Sequence, residues 1–366
     1  MDFSITEGIK YAGSKLRLLP YIFQMLNEIQ PSSVLDGFSG TTRVSQAFAA
    51  KGFRVVSNDL AIWSETFAMT YLLNTYPREH YQPLIEHLND LPGHDGWFTE
   101  NYGGEMKDGY SVGNDGLKKP WQLHNTRKLD AVREEIDRLS ISDVERAVLI
   151  TSLILALDQV DNTLGHFASY LNQWSRRSCE PFRMRLPRLI TRDQNHSVHR
   201  SDIFELLPQV TTDLAYFDPP YGSNNEKMPP SRVRYAAYYH LWTTVCLNDK
   251  PNLFGRAKRR KDTSDRIAHS PFEDFRNAAS GRFVAVEAID RMLRAVRAEY
   301  VMLSYSSGGR ATASELSEVM DSVGKVVSFM EIDYRRNVMA SMRWTHKWVS
   351  EAAKPNREFL FLIQKS

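Results

Sequence analysis

Apolar residues recur at helical spacing from Leu16 to Ile29: Leu16, Leu19, Ile22, Phe23, Leu26 and Ile29 share one face. Pro31-Ser32-Ser33 closes that helix. Val34-Leu35-Asp36-Gly37-Phe38 then reads as a strand and Ser39-Gly40-Thr41-Thr42 as a tight turn. Arg43 to Lys51 reads as the next helix, ended by Gly52. A second strand, Phe53 to Ser57, stops at Asn58-Asp59. Strand, helix and strand in this succession predict a parallel sheet.

The pattern then changes. Seven of the 19 glycines fall between Gly93 and Gly116, and the segment reads as a long surface loop. Two helices follow, about Thr126 to Leu139 and Ser142 to Val160. Ser142-Asp143-Val144-Glu145 supplies a capping box for the second. Sheet patterning resumes at Val198 to Asp202 and at Leu214 to Asp218. Further strands are expected at Tyr300 to Ser304, Val326 to Ile332 and Phe359 to Ile363, with a helix from about Phe283 to Glu299. The expected architecture is an α/β domain built from residues 1–75 and 196–366, with a largely helical module, 76–195, inserted between sheet strands.

Bulk properties narrow the function classes. The chain has 366 residues, 42% hydrophobic and 25% charged, with a net charge of +2. A polyanion site must therefore come from local clustering. The two cysteines, Cys179 and Cys246, have no metal-type spacing and are too few for a disulfide framework. A reducing cytoplasm is expected. Met1-Asp2-Phe3-Ser4 has no basic run followed by an apolar one, so no signal peptide is read. The apolar stretch Val148 to Leu157 is too short to span a bilayer. Neither a metal nor a membrane partner is expected.

The candidate chemistry centres on Asp218-Pro219-Pro220-Tyr221. These residues follow the apolar run Leu214-Ala215-Tyr216-Phe217, which reads as a buried parallel strand. Asp218 then falls at a strand's carboxyl end, where open α/β sheets place their chemistry. Two prolines fix the backbone and remove two N–H donors. A carboxylate, carbonyl acceptors and an aromatic face together suit a flat ring bearing an amino group, such as adenine. The competing reading is a plain proline-rich turn.

Weaker signals accompany it. Asp36-Gly37-Phe38-Ser39-Gly40-Thr41 puts glycine at a strand-to-helix turn, where a ligand can approach backbone and helix terminus. It lacks the three-glycine dinucleotide spacing and is equally a plain turn. Asp59 stands about 20 residues after Gly40, the spacing at which a carboxylate takes ribose hydroxyls; it could also cap the segment after it. Lys10-Tyr11-Ala12-Gly13-Ser14-Lys15 could close over a cofactor, although a helix start with solvated lysines fits its composition. Three basic patches suit nucleic-acid phosphates: Arg176 to Arg192, with Arg176, Arg177, Arg183, Arg185 and Arg188; Arg256 to Lys261, with Arg259 and Arg260; and Arg335, Arg336, Arg343 and Lys347, interleaved with Tyr334, Trp344 and Trp348.

Taken in order, Lys-Tyr-Ala-Gly-Ser-Lys, Asp-Gly-Phe-Ser-Gly-Thr, Asn-Asp, an insertion and Asp-Pro-Pro-Tyr resemble the Dam-like DNA adenine-N6 methyltransferases, the alpha-order group. Asn356-Arg357-Glu358-Phe359-Leu360 resembles that family's last strand. The resemblance implies a methyltransferase fold, doubly wound and mostly parallel, whose insertion is a target-recognition domain. It implies S-adenosylmethionine as cofactor and double-stranded DNA as partner, commonly beside a restriction endonuclease, in the cytoplasm of a prokaryote or in a phage. By position, Tyr11 and Lys15 would meet the cofactor's methionine part. Asp36, Phe38 and Gly40 would form its loop, and Asp59 would hold its ribose. Asp202 would face the adenine side of the site, with Asp218 beside the cofactor. Asp218, Pro219, Pro220 and Tyr221 would act on a flipped adenine. Thr42 departs from the pattern, standing where many relatives carry glycine; Tyr11 and Ser14 replace Trp and Gly. The alternatives are cytosine-N4 methylation, whose enzymes usually carry Ser at position 218, and a non-catalytic DNA-binding subunit of the same fold.

Overall fold

The computed structural model describes residues 6–107, 109–189, 195–221, 235–264, 267–274, 276–334 and 356–366. In chain order its strands are β1 (Ser33–Asp36), β2 (Arg54–Asn58), β3 (Gly103–Lys107), β4 (Tyr110–Val112), β5 (Trp121–Gln122), β6 (Ser197–His199), β7 (Thr211–Phe217), β8 (Leu253–Phe254), β9 (Arg259–Arg260), β10 (Arg297–Ser306), β11 (Gly324–Tyr334) and β12 (Asn356–Lys365). The chain is mixed α/β, with largely parallel pairing among the central strands. It divides into two compact units. One is Met1–Leu19, Ser39–Arg200 and Tyr235–Ala268; the other is Pro20–Phe38, Ser201–Arg234 and His269–Ser366.

The second unit holds the strand that precedes Asp218. β7 lies between β1 and β10 and is parallel to both, with Asp36 opposite Tyr216 and Leu303 opposite Phe217. Leu214, Ala215, Tyr216 and Phe217 are all buried, as a strand covered on both faces requires. β12 runs antiparallel between β10 and β11. The helix Val284–Ala295 directly precedes β10 and buries Ala285, Val286, Ile289, Met292 and Leu293, an i, i+3, i+4 stripe. Its expected end at Glu299 is wrong: Arg297 already belongs to β10. The expected helix 16–29 is interrupted; it is α-helical over Leu19–Met25, with 3-10 turns at Lys15–Arg17 and Leu26–Glu28. The strand expected over 198–202 is β6 alone, because Asp202 turns away to cap a short helix, Ile203–Leu206.

In the first unit β2 pairs parallel with β6. The core is helical. The helix Asp143–Val160 is apolar on nearly every side and mostly buried from Ala147 onward, and its Ser142–Glu145 capping box is formed. The helix Ile62–Ala68 and the turn Met69–Leu73 bring Trp63, Phe67 and Tyr71 into the same core, as does Trp242 from the helix His240–Leu247. That packing is why residues 39–75 and 235–268 fall in one compact unit with the helices of the 76–195 segment. The segment expected as a loop over 93–116 is structured: the helix Trp97–Tyr102 leads into the β3–β4 hairpin, and β5 pairs parallel with β3. Among the described residues no helix is long and apolar enough to cross a membrane.

Candidate active site

Asp218 follows directly on β7, at the carboxyl edge of that parallel strand. Neighbouring β1 ends at Asp36 in the matching register, and Gly37 donates its amide to the Tyr216 carbonyl at 3.0 Å. A Cβ on Gly37 would lie 2.6 Å from the Phe217 ring, so only glycine fits. The Phe38 ring then packs edge-on against Phe217 and Phe272, at 6.3 and 5.2 Å between centroids. Pro219 is buried, and Tyr221 places its ring 5.4 Å from that of Tyr305. Asp36, Phe38, Asp218 and Tyr221 therefore share one compact unit. Asp202 lies in that unit too, and its carboxylate accepts the Phe204 amide at 2.8 Å as a helix N-cap.

Tyr11, Lys15, Gly40 and Asp59 belong to the first unit. Asp59 Oδ2 accepts the Gly40 amide at 2.8 Å and Oδ1 accepts the Ala61 amide at 2.9 Å. Burial raises the Asp59 pKa, and the amide donors pull it back. Gly40 is left-handed at φ +48°, and a Cβ there would come 3.2 Å from the Tyr11 hydroxyl. The buried loop backbone thus packs closely against the Tyr11 ring. That ring stacks on Tyr239 at 4.7 Å, with Tyr235 and Trp63 at 5.5 and 5.7 Å. Lys15 is buried in its 3-10 turn.

Sequence reasoning missed what holds the Lys10–Lys15 segment. Asp158 accepts the Lys10 amide at 3.1 Å, and the Tyr239 hydroxyl accepts the Ala12 amide at 2.7 Å. The Lys10 ammonium bonds the Asp158 carbonyl and Asp161 Oδ1, the latter at 2.6 Å. Arg177 binds the same Asp161 oxygen at 2.8 Å. Burial raises the Asp158 pKa; the Lys10 charge opposes this and Asp161 adds to it. No spacing rule links residues 10, 158 and 239.

The basic residues divide by environment. Arg260 is only 4% exposed, bridging Asp249 and Asp262 at 2.7 Å each. Arg259 donates to the Thr263 carbonyl and lies over Phe254. Arg177 is taken up by Asp161 and the Thr163 carbonyl. By contrast, residues 180–188 form an extended strap on the helical core. Asn125 bonds the Glu180 carbonyl and the Phe182 amide, Asn89 bonds both backbone groups of Met184, and Ser152 bonds the Arg185 carbonyl. Phe182 and Met184 point inward, so Arg183 and Arg185 point out; Arg188 is exposed beyond them, its amide donating to Glu7 Oε2 at 2.6 Å and its guanidinium 3.6 Å from Glu7 Oε1. Arg176 is exposed just before the strap. Its approach segment bridges the β3–β4 hairpin at Tyr110 and Gln173. That hairpin exposes Met106 and Tyr110, 61% and 54%. The patch Arg335 to Lys347, with Trp344 and Trp348, lies outside the described residues, as do Arg192 and the side chain of Tyr334.

The family model for D12 class N6 adenine-specific DNA methyltransferases matches residues 11–272. Among curated proteins the chain is similar to the modification methylase StsI of Streptococcus sanguinis, 25% identical over 98% of this chain and 52% of that protein. It is 23% identical to the type II methyltransferase M.NlaIII of Neisseria lactamica, over 98% of this chain and 100% of the relative. The type II methyltransferase M.FokI of Planomicrobium okeanokoites is 24% identical, over 98% and 53%. The chain thus spans about half the length of the StsI and FokI methylases and the whole of M.NlaIII. The match takes in the Tyr11, Asp36–Gly40, Asp59 and Asp218–Tyr221 positions, and on it the chain belongs to the D12 class N6 adenine-specific DNA methyltransferase family.

Proposed function

We propose that the chain transfers a methyl group from S-adenosylmethionine to the N6 amine of an adenine flipped out of duplex DNA. The observation that carries this reading is Asp218, set at the carboxyl end of a parallel strand flanked by parallel strands, followed by two prolines and an anchored tyrosine. Extruding the base costs a few kcal/mol, and stacking on Tyr221 returns ~1–3 kcal/mol. The Asp218 carboxylate and the Pro219 carbonyl accept the two amine hydrogens. Both bonds draw the nitrogen toward a tetrahedral shape and orient its lone pair. Positioning and fixed dipoles supply most of the rate.

The cofactor-side residues fit such a ligand. Gly40, with no Cβ, lets the loop backbone pass close to the Tyr11 ring. The Asp59 carboxylate lies beside the Gly40 turn at the end of β2, where it would meet a ribose hydroxyl. Tyr11 and Lys15 would meet the methionine part; Asp36, Phe38 and Gly40 the loop side; Asp202 the adenine side. When bound, the cofactor supplies a methyl group on a positively charged sulfur, an electrophile for the amine.

Residues 76–195 serve as the target-recognition domain and 1–75 with 196–366 as the catalytic domain of a methyltransferase fold. Arg176, Arg183, Arg185 and Arg188 contact DNA phosphates, with the Met106 and Tyr110 hairpin beside them. Arg177, Arg259 and Arg260 support the fold near that surface. The setting is a restriction–modification system with a partner endonuclease in a prokaryotic or phage-infected cytoplasm. Nucleoside mass spectrometry of DNA treated with enzyme and cofactor tests this: N6-methyladenine is expected. Asp218→Ala should abolish it while DNA still binds. N4-methylcytosine as product, or wild-type activity in Asp218→Ala, would overturn the proposal.

A further inference from the structure

Tyr305, at the end of β10, is fully buried, and its hydroxyl accepts the amides of Arg310 and Ala311 at 3.1 and 3.2 Å. Burial pushes its pKa up to about 12, so it stays a neutral phenol. From behind, Gly309 packs so closely that a Cβ would sit 2.5 Å from the ring. The backbone around it is pinned on both sides: Leu303 pairs with Phe217 of β7, and Tyr305 itself pairs with Phe359 of β12. This ring is closely held. It meets the Tyr221 ring at 5.4 Å between centroids and 53° between planes, within the range of favourable aromatic pairs.

We propose that Tyr305 is the positioning residue that sets the plane of the Tyr221 ring and hence the plane in which the flipped adenine stacks. The inference rests on the stacking role given to Tyr221 above. Pro219 and Pro220 fix the backbone before Tyr221 but leave its χ1 and χ2 free. A closely held, tilted neighbour restricts that freedom from the side it occupies. The N6 amine must meet Asp218 and the Pro219 carbonyl together, and a misplacement of about 1 Å at such a centre costs on the order of 10²-fold in rate.

The test uses the full chain and a duplex carrying 2-aminopurine at the adenine the wild type methylates, located by sequencing its product. In the wild type the flipped fluorophore is stacked and partly quenched. Tyr305→Leu should raise its emission toward that of Tyr221→Ala and lower kcat about tenfold or more, with the cofactor KM unchanged. Tyr305→Phe keeps the ring and should restore most of the turnover. Gly309→Ala pushes the ring without deleting it and should give the Leu signature, which decides the matter if Tyr305→Leu does not fold. Lower melting temperatures with wild-type emission and kcat in these variants would overturn the inference alone. Unchanged emission and kcat in Tyr221→Ala would overturn the stacking reading and the inference with it.

Discussion

Gly40 donates its amide to Asp59 Oδ2 at 2.8 Å, so the turn after β1 and the carboxylate after β2 form one unit. The second oxygen takes the Ala61 amide at 2.9 Å and fixes the entry to the next helix. An acid placed this way shapes the loop, and in the proposed function it also holds the ribose.

Asp59→Asn separates the two jobs poorly, which makes it informative. The amide keeps one acceptor and turns a donor toward an N–H. Hydrogen bonds to a charged partner contribute about 1.5–3 kcal/mol. The variant should lose stability of that order and weaken cofactor binding about tenfold or more. Denaturant unfolding and cofactor titration check both. Loss of stability with wild-type cofactor affinity would confine Asp59 to the fold.

Thr42 occupies a left-handed conformation, φ 59°, that β-branched residues avoid. Its hydroxyl donates to the Thr41 carbonyl at 2.7 Å and accepts from Gln46 Nε2 at 3.0 Å. Gln46 in turn bonds the Glu7 amide and carbonyl, both at 2.9 Å. Thr42→Gly relieves strain of about 1–2 kcal/mol and forfeits hydrogen bonds of about 0.5–1.5 kcal/mol each. It should fold with near-wild-type stability. Thr42→Val keeps the strain and loses the bonds, and should unfold at lower denaturant than either. A Val variant as stable as wild type would show that the bonds contribute nothing.

What the sequence made legible were features with a local cause. The apolar run at 214–217 is a buried parallel strand because both faces are covered, and the Ser142 capping box closes on itself within one turn. The glycine-rich 93–116 segment misled because several of its glycines answer to side chains elsewhere, while Gly109 and Gly116 are open turn glycines at φ +80° and +71°. A Cβ would lie 2.6 Å from Asp130 at Gly96, 2.6 Å from Thr126 at Gly103 and 2.9 Å from Trp174 at Gly104. These are close-packing glycines in and beside a helix and a hairpin, and composition alone cannot tell them from loop glycines. Likewise, Arg177 and Arg260 looked like members of basic patches until Asp161, Asp249 and Asp262 came into view. Tyr305 carried no motif; only its contact with Tyr221 singles it out.

His240 makes the fold acid-sensitive. It is fully buried, with Nε2 3.2 Å from the Phe167 carbonyl and the Phe167 ring edge-on at 6.3 Å. Burial, then the nearby Arg259 and Arg260, lower its pKa from 6.5 to about 3. Below 6.5 the unfolded chain takes up a proton that the folded ring refuses. Stability present above 6.5 is therefore lost as pH falls toward 3, at about 1.4 kcal/mol per pH unit. His240→Gln should be less stable at pH 7 yet lose about 2 kcal/mol less than wild type between pH 6.5 and 5. Urea midpoints at the two pH values check this, and equal losses in both proteins would contradict it.

The outward arginines of the strap should set the salt dependence of DNA binding. Each phosphate contact removed lowers the slope of log K against log salt by ~0.9. Replacing Arg183, Arg185 and Arg188 together by Ala should flatten the slope by about 2–3 and leave cofactor affinity unchanged. Asn89→Ala removes no charge but frees both backbone groups of Met184, which it holds at 3.0 and 2.9 Å. It should weaken DNA binding through the loosened strap, with a smaller change in slope. Arg260→Ala should differ in kind: it removes a buried side chain whose partners Asp249 and Asp262 stay partly solvated, so the cost is stability, about 1–3 kcal/mol. A triple variant whose slope matches wild type would place the DNA on another face of the chain. An Arg260→Ala protein that folds normally and loses one contact's worth of slope would return that residue to the DNA surface.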